Sequence, residues 1–231
     1  MADVKLLGSW ASPFVMRACI ALNLKNIPYE YLQQDMENKS QLLLKSNPVH
    51  KKIPVLLHND KPICEALNIV QYIDECFTSS GPSILPSEPY DRATARFWAA
   101  YVDDKWFGLL CGVATAKTNE EKKAAVEGVI EGVKLLEKTY QEIGKGKDFF
   151  GGDTLGYIDI AFGSCLGWIK VVEKLNGFTI LNEIDTPGLY GWAERFCAHD
   201  AVKNVMPEIE KLTGYVKVLF DKMKAASADP K

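Results

Sequence analysis

The sequence predicts an α/β N-terminal domain, with helices around a small mixed four-stranded sheet, followed by an all-α C-terminal domain. Strand and helix signals alternate over residues 1–79 in the order β-α-β-α-β-β-α, which favours a mixed sheet flanked by helices. Residues 80–89 have the composition of a linker, with glycine, serine and three prolines. Strand signals nearly vanish over 90–231, where long stretches have helical periodicity.

Local patterns predict each element in turn. The N-terminal domain divides into a strand at 6–7, a helix over 15–24, an extended segment at 29–32, a short helix over 40–45, β runs at 55–58 and 62–64, and a helix over 65–76. Asn59 and Asp60 favour a tight turn, so the two β runs beside them are expected to form a hairpin. The C-terminal domain has predicted helices over 90–117, 119–143, 157–175 and 187–198.

Composition excludes several classes of function. The 231 residues carry a net charge of only −3, which argues against nucleic acid or an anionic membrane as a partner. No apolar run approaches the roughly 18 residues of a membrane span, and the N-terminus lacks a signal-peptide pattern. Six scattered cysteines without a CxxC pair, and three histidines far apart, predict reduced thiols and no metal site. We therefore expect a cytoplasmic protein.

The first candidate site residue is Ser12, which lies between the first strand and the first helix. Pro13 fits the first helical turn because its missing N–H would have no intrahelical partner there, so Ser12 falls at the N-cap. This position sets a hydroxyl donor beside unpaired backbone N–H groups at the positive end of a helix dipole. Such a site suits a small anion, for example a thiolate. Taken alone, the pattern also fits an ordinary helix cap.

Two further motifs lie where other elements begin. Pro54 stands at the mouth of a strand, and a cis Ile53–Pro54 bond would turn the Ile53 backbone outward to pair with an extended peptide. Glu65 opens a helix, where an acid either stabilises the helix dipole or accepts an α-ammonium group. The Ala66 N–H then suits the adjacent α-carboxylate. A donor for sulfur, a strand for a peptide and groups for an amino-acid end together match glutathione.

Several segments of the chain carry a family resemblance. They are residues 12–14, 45–56, 65, 71–74 and 157–161. Through them the chain resembles the plant tau-class glutathione S-transferases over nearly its full length. The resemblance implies a thioredoxin-like N-terminal domain, an all-helical C-terminal domain and a homodimer.

The resemblance also implies which residues contact reduced glutathione, the co-substrate. They are Ser12, Lys39, Lys52, Ile53, Pro54, Glu65 and Ala66. The serine hydrogen-bonds the sulfur, the lysines approach the glycyl carboxylate, the isoleucine pairs with the cysteinyl backbone, and the acid with its neighbour holds the γ-glutamyl end. The family usually has serine where this chain has Ala66, so we expect weakened but not abolished binding.

A hydrophobic electrophile is expected to bind between the domains, where apolar pockets commonly form. The candidate residues are Trp10, Phe14, Trp106, Phe107, Cys111, Trp168, Leu212 and Tyr215. Ordinary core packing is the other interpretation of those on the later helices. The resemblance implies conjugation of the glutathione thiolate to hydrophobic electrophiles in detoxification and stress responses, and it leaves glutathione peroxidase activity open.

Other classes of function compete with conjugation. A thiol transferase or dehydroascorbate reductase on this scaffold would need cysteine at position 12 to form a mixed disulfide, and Ser12 argues against it. A non-catalytic carrier of apolar metabolites stays open, and Ala66 favours it slightly. Asp159, in the first turn of a predicted helix, is expected to serve folding as a helix-start acceptor and not catalysis.

Overall fold

The structure, a computed structural model, describes residues 3–228, with side chains up to residue 223. Its sheet contains the strands β1 (Val4–Gly8), β2 (Glu30–Gln33), β3 (Val55–His58) and β4 (Lys61–Cys64), in the spatial order β2-β1-β3-β4. β1 pairs in parallel with β2 and antiparallel with β3, and β3 and β4 form a hairpin. Asn59 and Asp60 make its turn with φ of 50° and 61°. The predicted mixed four-stranded sheet is confirmed.

Strand alternation gives the sheet two buried faces. The flanking helices are α1 (Pro13–Leu24), α2 (Gln41–Ser46) and α3 (Ala66–Cys76). Leu6 and Leu56 belong to the main core with the buried residues of α1 and α3. Leu7 and Leu57 point to the other face and form a smaller core with Leu43 of α2. This arrangement brings the starts of α1, β3 and α3 to one edge of the sheet.

The C-terminal part is helical, as predicted. Its helices are α4 (Pro89–Tyr101), α5 (Phe107–Thr115), α6 (Asn119–Gly144), α7 (Tyr157–Gly163), α8 (Leu166–Asn176), α9 (Pro187–Ala198) and α10 (Ile209–Ala228). Within residues 3–228, no helix combines the length and the apolar character needed to cross a membrane.

Two helices that the sequence predicts as continuous are interrupted in the structure. A π-helical turn, Val102–Trp106, separates α4 from α5, and its Asp103 binds Arg17 of α1. A tight turn at Ser164 separates α7 from α8, and the Ser164 hydroxyl accepts a hydrogen bond from Arg17 Nε at 3.0 Å. At both interruptions a side chain contacts Arg17, which is more than 80 residues away in the sequence. The apolar periodicity of a segment does not reveal such distant contacts.

Helix α10 was not predicted. Leu212, Val216 and Phe220 are buried at a spacing of four residues along it, so one stripe of the helix faces the rest of the molecule. The helix packs against α8 and α5. Its position adds a wall to the crevice between the two halves of the chain.

The segment between α3 and α4 is held by a buried carboxylate. Both oxygens of Asp74 accept backbone hydrogen bonds, from Ile84 N and Leu85 N at 2.9 Å each. The ammonium of Lys25, which is 1% exposed, lies 2.7 Å from the same carboxylate. Because the charge is both paired and hydrogen-bonded, its burial is tolerated, and it fixes the path of the chain between the two halves.

Candidate active site

Ser12 occupies the N-cap of α1, as the sequence predicts. Its backbone is extended, with φ −82° and ψ 118°, and Pro13 follows as the first helical residue. The hydroxyl oxygen accepts a hydrogen bond from Val15 N at 3.3 Å. Since the helix uses a lone pair of that oxygen, the hydroxyl proton remains available for a second acceptor.

The turn that carries Ser12 is tied to the helical half of the molecule. Ser12 N donates to Ser9 O at 3.0 Å, which closes the turn. The indole N–H of Trp168, on α8, donates to the carbonyl oxygen of Ala11 at 2.9 Å in a buried position. The hydroxyl is therefore positioned from both sides of the crevice.

Arg17 lies one turn further along α1 and links the two halves of the molecule. Its guanidinium is fully buried and forms two hydrogen bonds with the Asp103 carboxylate, at 2.6 and 2.7 Å. A third hydrogen bond runs to Ala161 O at 2.8 Å. The charge also lies 5.1 Å from the centre of the Phe14 ring. One cation therefore contacts both the helical half and an aromatic ring of the cavity wall.

The other predicted glutathione residues lie around the same sheet edge. The Ile53–Pro54 peptide bond is cis. Ile53 is half-buried and Lys52 is exposed, while the Lys52 carbonyl accepts a hydrogen bond from Asn47 Nδ2 at 3.0 Å. Lys39 is half-buried immediately before α2.

Glu65 and Ala66 stand at the start of α3 in an unusual backbone geometry. Glu65 has φ +71° and ψ 121°, a combination that non-glycine residues rarely adopt. Its side chain is 65% exposed and lies 3.9 Å from the His50 imidazole. Ala66 is buried as the first residue of α3, and the N–H groups of this turn lack intrahelical partners. Strain of this kind is retained where the surrounding structure holds it, often at binding sites.

A cavity of about 320 Å³ opens beside Ser12 between the two halves. It is lined by Ser9, Ala11, Ser12, Pro13, Phe14, Met36, Lys52, Ile53, Phe107, Cys111, Trp168, Tyr215, Leu219, Phe220 and Met223. Five of the eight residues predicted for the electrophile line it: Phe14, Phe107, Cys111, Trp168 and Tyr215. The rings of Phe14 and Phe107 meet edge-on at 5.4 Å, and Phe107 meets Trp168 at 5.8 Å.

The structure does not bring the other three predicted electrophile residues to the cavity wall. Trp106 is fully buried in the helical core and donates its indole N–H to Val129 O at 3.2 Å. Leu212 is fully buried against α8. Trp10 is half-buried and outside the cavity lining, and the centre of its ring lies 5.6 Å from that of Tyr215. Core packing is thus the interpretation that the structure favours for Trp106 and Leu212.

The sequence analysis does not identify several residues that line the cavity. Leu219, Phe220 and Met223 come from α10, and Met36 comes from the loop after β2. The apolar four-residue spacing along α10 was the available signal for the first group. Met36 has no local signal, because only the folding of its loop toward α10 brings it to the cavity.

Comparison with known proteins decides the family. The model for the glutathione S-transferase N-terminal domain matches residues 2–75, and that for the C-terminal domain matches residues 90–200. The crystal structure of a tau-class glutathione S-transferase from mango, Mangifera indica, superposes with a TM-score of 0.92 and 62% identity, over 94% of this chain and 98% of that one. The chain belongs to the tau class of the glutathione S-transferases.

Other relatives of this transferase support the same family assignment. It is 60% identical to glutathione S-transferase U18 of Arabidopsis thaliana over 223 residues, which are 96% of this chain and 98% of that protein. A rice transferase solved in complex with glutathione superposes with a TM-score of 0.87 and 38% identity, over 96% and 97% of the two chains. The predicted thioredoxin-like and helical architecture, the enzyme class and the use of glutathione as co-substrate are confirmed.

Cys111 is a thiol in the wall of the cavity, and its environment keeps it protonated. Burial raises the pKa of the Cys111 thiol to about 12. At neutral pH the side chain is therefore a small apolar group and a poor nucleophile. The transferase thus keeps this thiol unreactive in the wall of the cavity that Ser12 also lines.

Asp159 of the transferase occupies a buried position away from the cavity. Its two carboxylate oxygens accept four hydrogen bonds, from the backbone N–H groups of Phe150, Gly151 and Gly156 and from the Trp192 indole, at 2.7 to 2.9 Å. Burial raises the pKa of Asp159 to about 6, against the opposing effect of these donors. The carboxylate gathers α7, α9 and the loop before α7, in agreement with the expected structural role.

Proposed function

We propose that this transferase uses Ser12 to hold the sulfur of reduced glutathione as a thiolate and directs it at a hydrophobic electrophile in the adjoining cavity. The observation that carries the proposal is the position of the Ser12 hydroxyl, at a helix N-terminus and at the mouth of a cavity with largely apolar walls. A donor for sulfur and a pocket for an apolar molecule meet at one point.

The hydroxyl and the start of α1 act on the acid strength of the bound thiol. A free thiol has a pKa of about 8.5, so roughly a tenth or less is ionised near neutral pH. A hydrogen bond from Ser12 and the positive end of the helix dipole both favour the anion. Ser12 serves as a donor and not as a nucleophile, since no base contacts its hydroxyl among the side chains described up to residue 223.

For the rest of the tripeptide we propose the contacts that the resemblance implies. Lys39 and Lys52 supply positive charge to the glycyl carboxylate, and the Ile53 backbone, with Pro54 beside it, pairs with the cysteinyl residue. The exposed Glu65 carboxylate receives the α-ammonium group. The N–H of the residue after Glu65, at the start of α3, receives the adjacent carboxylate.

The cavity favours aromatic or other apolar electrophiles. Its volume of about 320 Å³ lies at the small end of ligand pockets. In its wall the ring of Phe107 meets those of Phe14 and Trp168 edge-on. With an aryl halide, the thiolate forms the new carbon–sulfur bond, the halide leaves, and the thiol proton passes to solvent. The protein accelerates the step by holding both reactants within reach.

A panel of electrophiles tests the proposal. Purified protein should conjugate glutathione to 1-chloro-2,4-dinitrobenzene or to a benzyl isothiocyanate, and an organic hydroperoxide measures peroxidase activity in parallel. Absence of turnover with every electrophile, together with tight binding of a hydrophobic dye, would overturn the proposal and favour the carrier.

We also propose that the transferase is a homodimer, as the resemblance implies. Helix α4 exposes two aromatic side chains, Tyr90 at 82% and Phe97 at 62%, and a second copy of the chain is the occupant that we assign to this surface. Light scattering on the eluted protein should give the mass of a dimer, and Phe97→Glu should shift it toward the monomer. A monomeric wild-type protein would contradict this assignment.

We also propose a division of the chain into domains. We propose a glutathione-binding domain at 1–79, a linker at 80–89 and a helical domain at 90–231 that contributes the electrophile site. The two contacts of Asp74 with the backbone of residues 84 and 85 support a fixed linker.

Six free cysteines support a reducing compartment, and we propose the cytoplasm.

A further inference from the structure

Three reactive side chains meet at the end of α3 that is remote from Glu65. His58 is the last residue of β3, and Tyr72 and Cys76 lie one helical turn apart on α3. His58 Nδ1 is 2.7 Å from the Tyr72 hydroxyl oxygen and 3.8 Å from Cys76 Sγ. The cluster thus combines a thiol, an imidazole and a phenol outside the glutathione site.

The thiol in this cluster is open to solvent. Of the six cysteines, Cys76 and Cys197 are the exposed ones. They differ in their surroundings, because Cys197 lies in an apolar groove on α9 with Leu166 and Met206, where burial raises the pKa of its thiol. Cys76 has an imidazole nitrogen within reach. The chain therefore contains two exposed thiols, one with an imidazole within reach and one in an apolar groove beside Lys170.

The imidazole gives the Cys76 thiol a route to the reactive anion. A neutral imidazole has one nitrogen that accepts a proton, and transfer of the thiol proton to Nδ1 leaves an imidazolium beside a thiolate, the pairing that activates cysteine nucleophiles. Burial and contact with Cys76 raise the pKa of Tyr72, so the phenol keeps its proton, and its oxygen accepts a hydrogen bond from Nδ1 once that nitrogen is protonated. Because α3 ends at Cys76, the helix dipole opposes the anion, and His58 supplies the opposing attraction.

We propose that Cys76 is a thiol–disulfide exchange site for small disulfides such as glutathione disulfide, with His58 as its base. The thiol proton passes to His58, and the thiolate sulfur attacks one sulfur of the disulfide. The disulfide bond breaks as the new one forms, and one glutathione leaves as a thiolate. The exchange needs no other oxidant and does not use Ser12, so it is independent of the conjugation reaction.

The rates of the two exposed cysteines test the proposal within one protein. Fully reduced enzyme is incubated with glutathione disulfide near neutral pH and quenched with acid, and peptide mapping by mass spectrometry follows each cysteine. We expect Cys76 to form the mixed disulfide about ten-fold faster than Cys197, the order of gain open to a thiol with a neighbouring base. Equal rates at the two cysteines would overturn the proposal, whatever the behaviour of any variant.

A substitution of His58 tests whether its imidazole is the base. His58→Gln keeps a polar side chain beside Tyr72 but removes the proton acceptor. The expected result is that the Cys76 rate falls about ten-fold, while the Cys197 rate, the conjugation rate and the melting temperature are unchanged. An unchanged Cys76 rate in folded His58→Gln protein excludes His58 as the base. Loss of conjugation in the wild type, with selective exchange at Cys76 intact, would refute only the proposed conjugation function.

Discussion

Replacing Ser12 with alanine tests the chemical centre of the site. The hydroxyl oxygen accepts from Val15 N at 3.3 Å, which leaves its proton for the hydrogen bond that we propose to the glutathione sulfur. A hydrogen bond to a charged group contributes about 1.5–3 kcal/mol, which equals about one to two pH units at roughly 1.36 kcal/mol per unit. Because the bond favours the charged form, its loss raises the pKa of the bound thiol by that amount.

Titration of the thiolate absorbance in the near ultraviolet measures this change directly. The midpoint for Ser12→Ala should lie about one to two pH units above that of the wild type. Conjugation below the wild-type midpoint should fall by about ten-fold or more and recover as the pH is raised. Ser12→Thr keeps the hydroxyl and serves as the matched control, with a midpoint near that of the wild type.

Alanine at position 12 also removes a helix cap, which controls have to separate from the effect on the thiol. Loss of such a cap costs about 0.5–2 kcal/mol of stability, so the melting temperature and the affinity for glutathione are measured on the same samples. If folded Ser12→Ala protein that still binds glutathione titrates at the wild-type midpoint, the hydroxyl does not stabilise the thiolate and the reasoning is refuted.

Three other substitutions have defined outcomes. Ala66→Ser should lower the KM for glutathione by about ten-fold by adding a hydrogen bond to a charged group, and steady-state kinetics that show no decrease would exclude that role. Asp159→Ala leaves four N–H donors without their acceptor, three of them buried, at about 1–3 kcal/mol for each buried donor. The melting temperature should fall while the KM of the surviving folded protein changes little, and the opposite pattern would argue for a role in binding. Asp103→Asn leaves the buried Arg17 charge without its anion, and urea unfolding should show a loss of about 3–5 kcal/mol; a stability equal to that of the wild type would mean that the pair does not link the two halves.

Much of the local structure around the proposed glutathione site could be predicted because its signals are local. A serine before a proline fixes the start of α1, and Ser12 accepts from a residue three positions away. The hairpin around Asn59 and Asp60 likewise depends on residues that accept positive φ. Such interactions are complete within a few residues, so the amino-acid order specifies them before any tertiary contact forms.

The cavity that we propose for the electrophile was less predictable, because the residues that line it are distant from one another in the sequence. Whether an aromatic residue on a helix lines a cavity or fills a core depends on which helices pack against it. Trp106 and Trp168 look alike in the sequence, yet one is buried against α6 and the other lines the cavity. The wall formed by α10 required the whole chain to fold back toward the first helix.

By itself the sequence determined the order of the strands and helices in the N-terminal domain, the cap that carries Ser12, and the class of enzyme. Tertiary structure alone decided which side chains share the cavity, the pairing of Arg17 with Asp103 across 86 residues, and the meeting of Cys76 with His58. The physical reason is that caps and turns are satisfied by neighbouring residues, whereas cavities and buried ion pairs form only when separate elements pack.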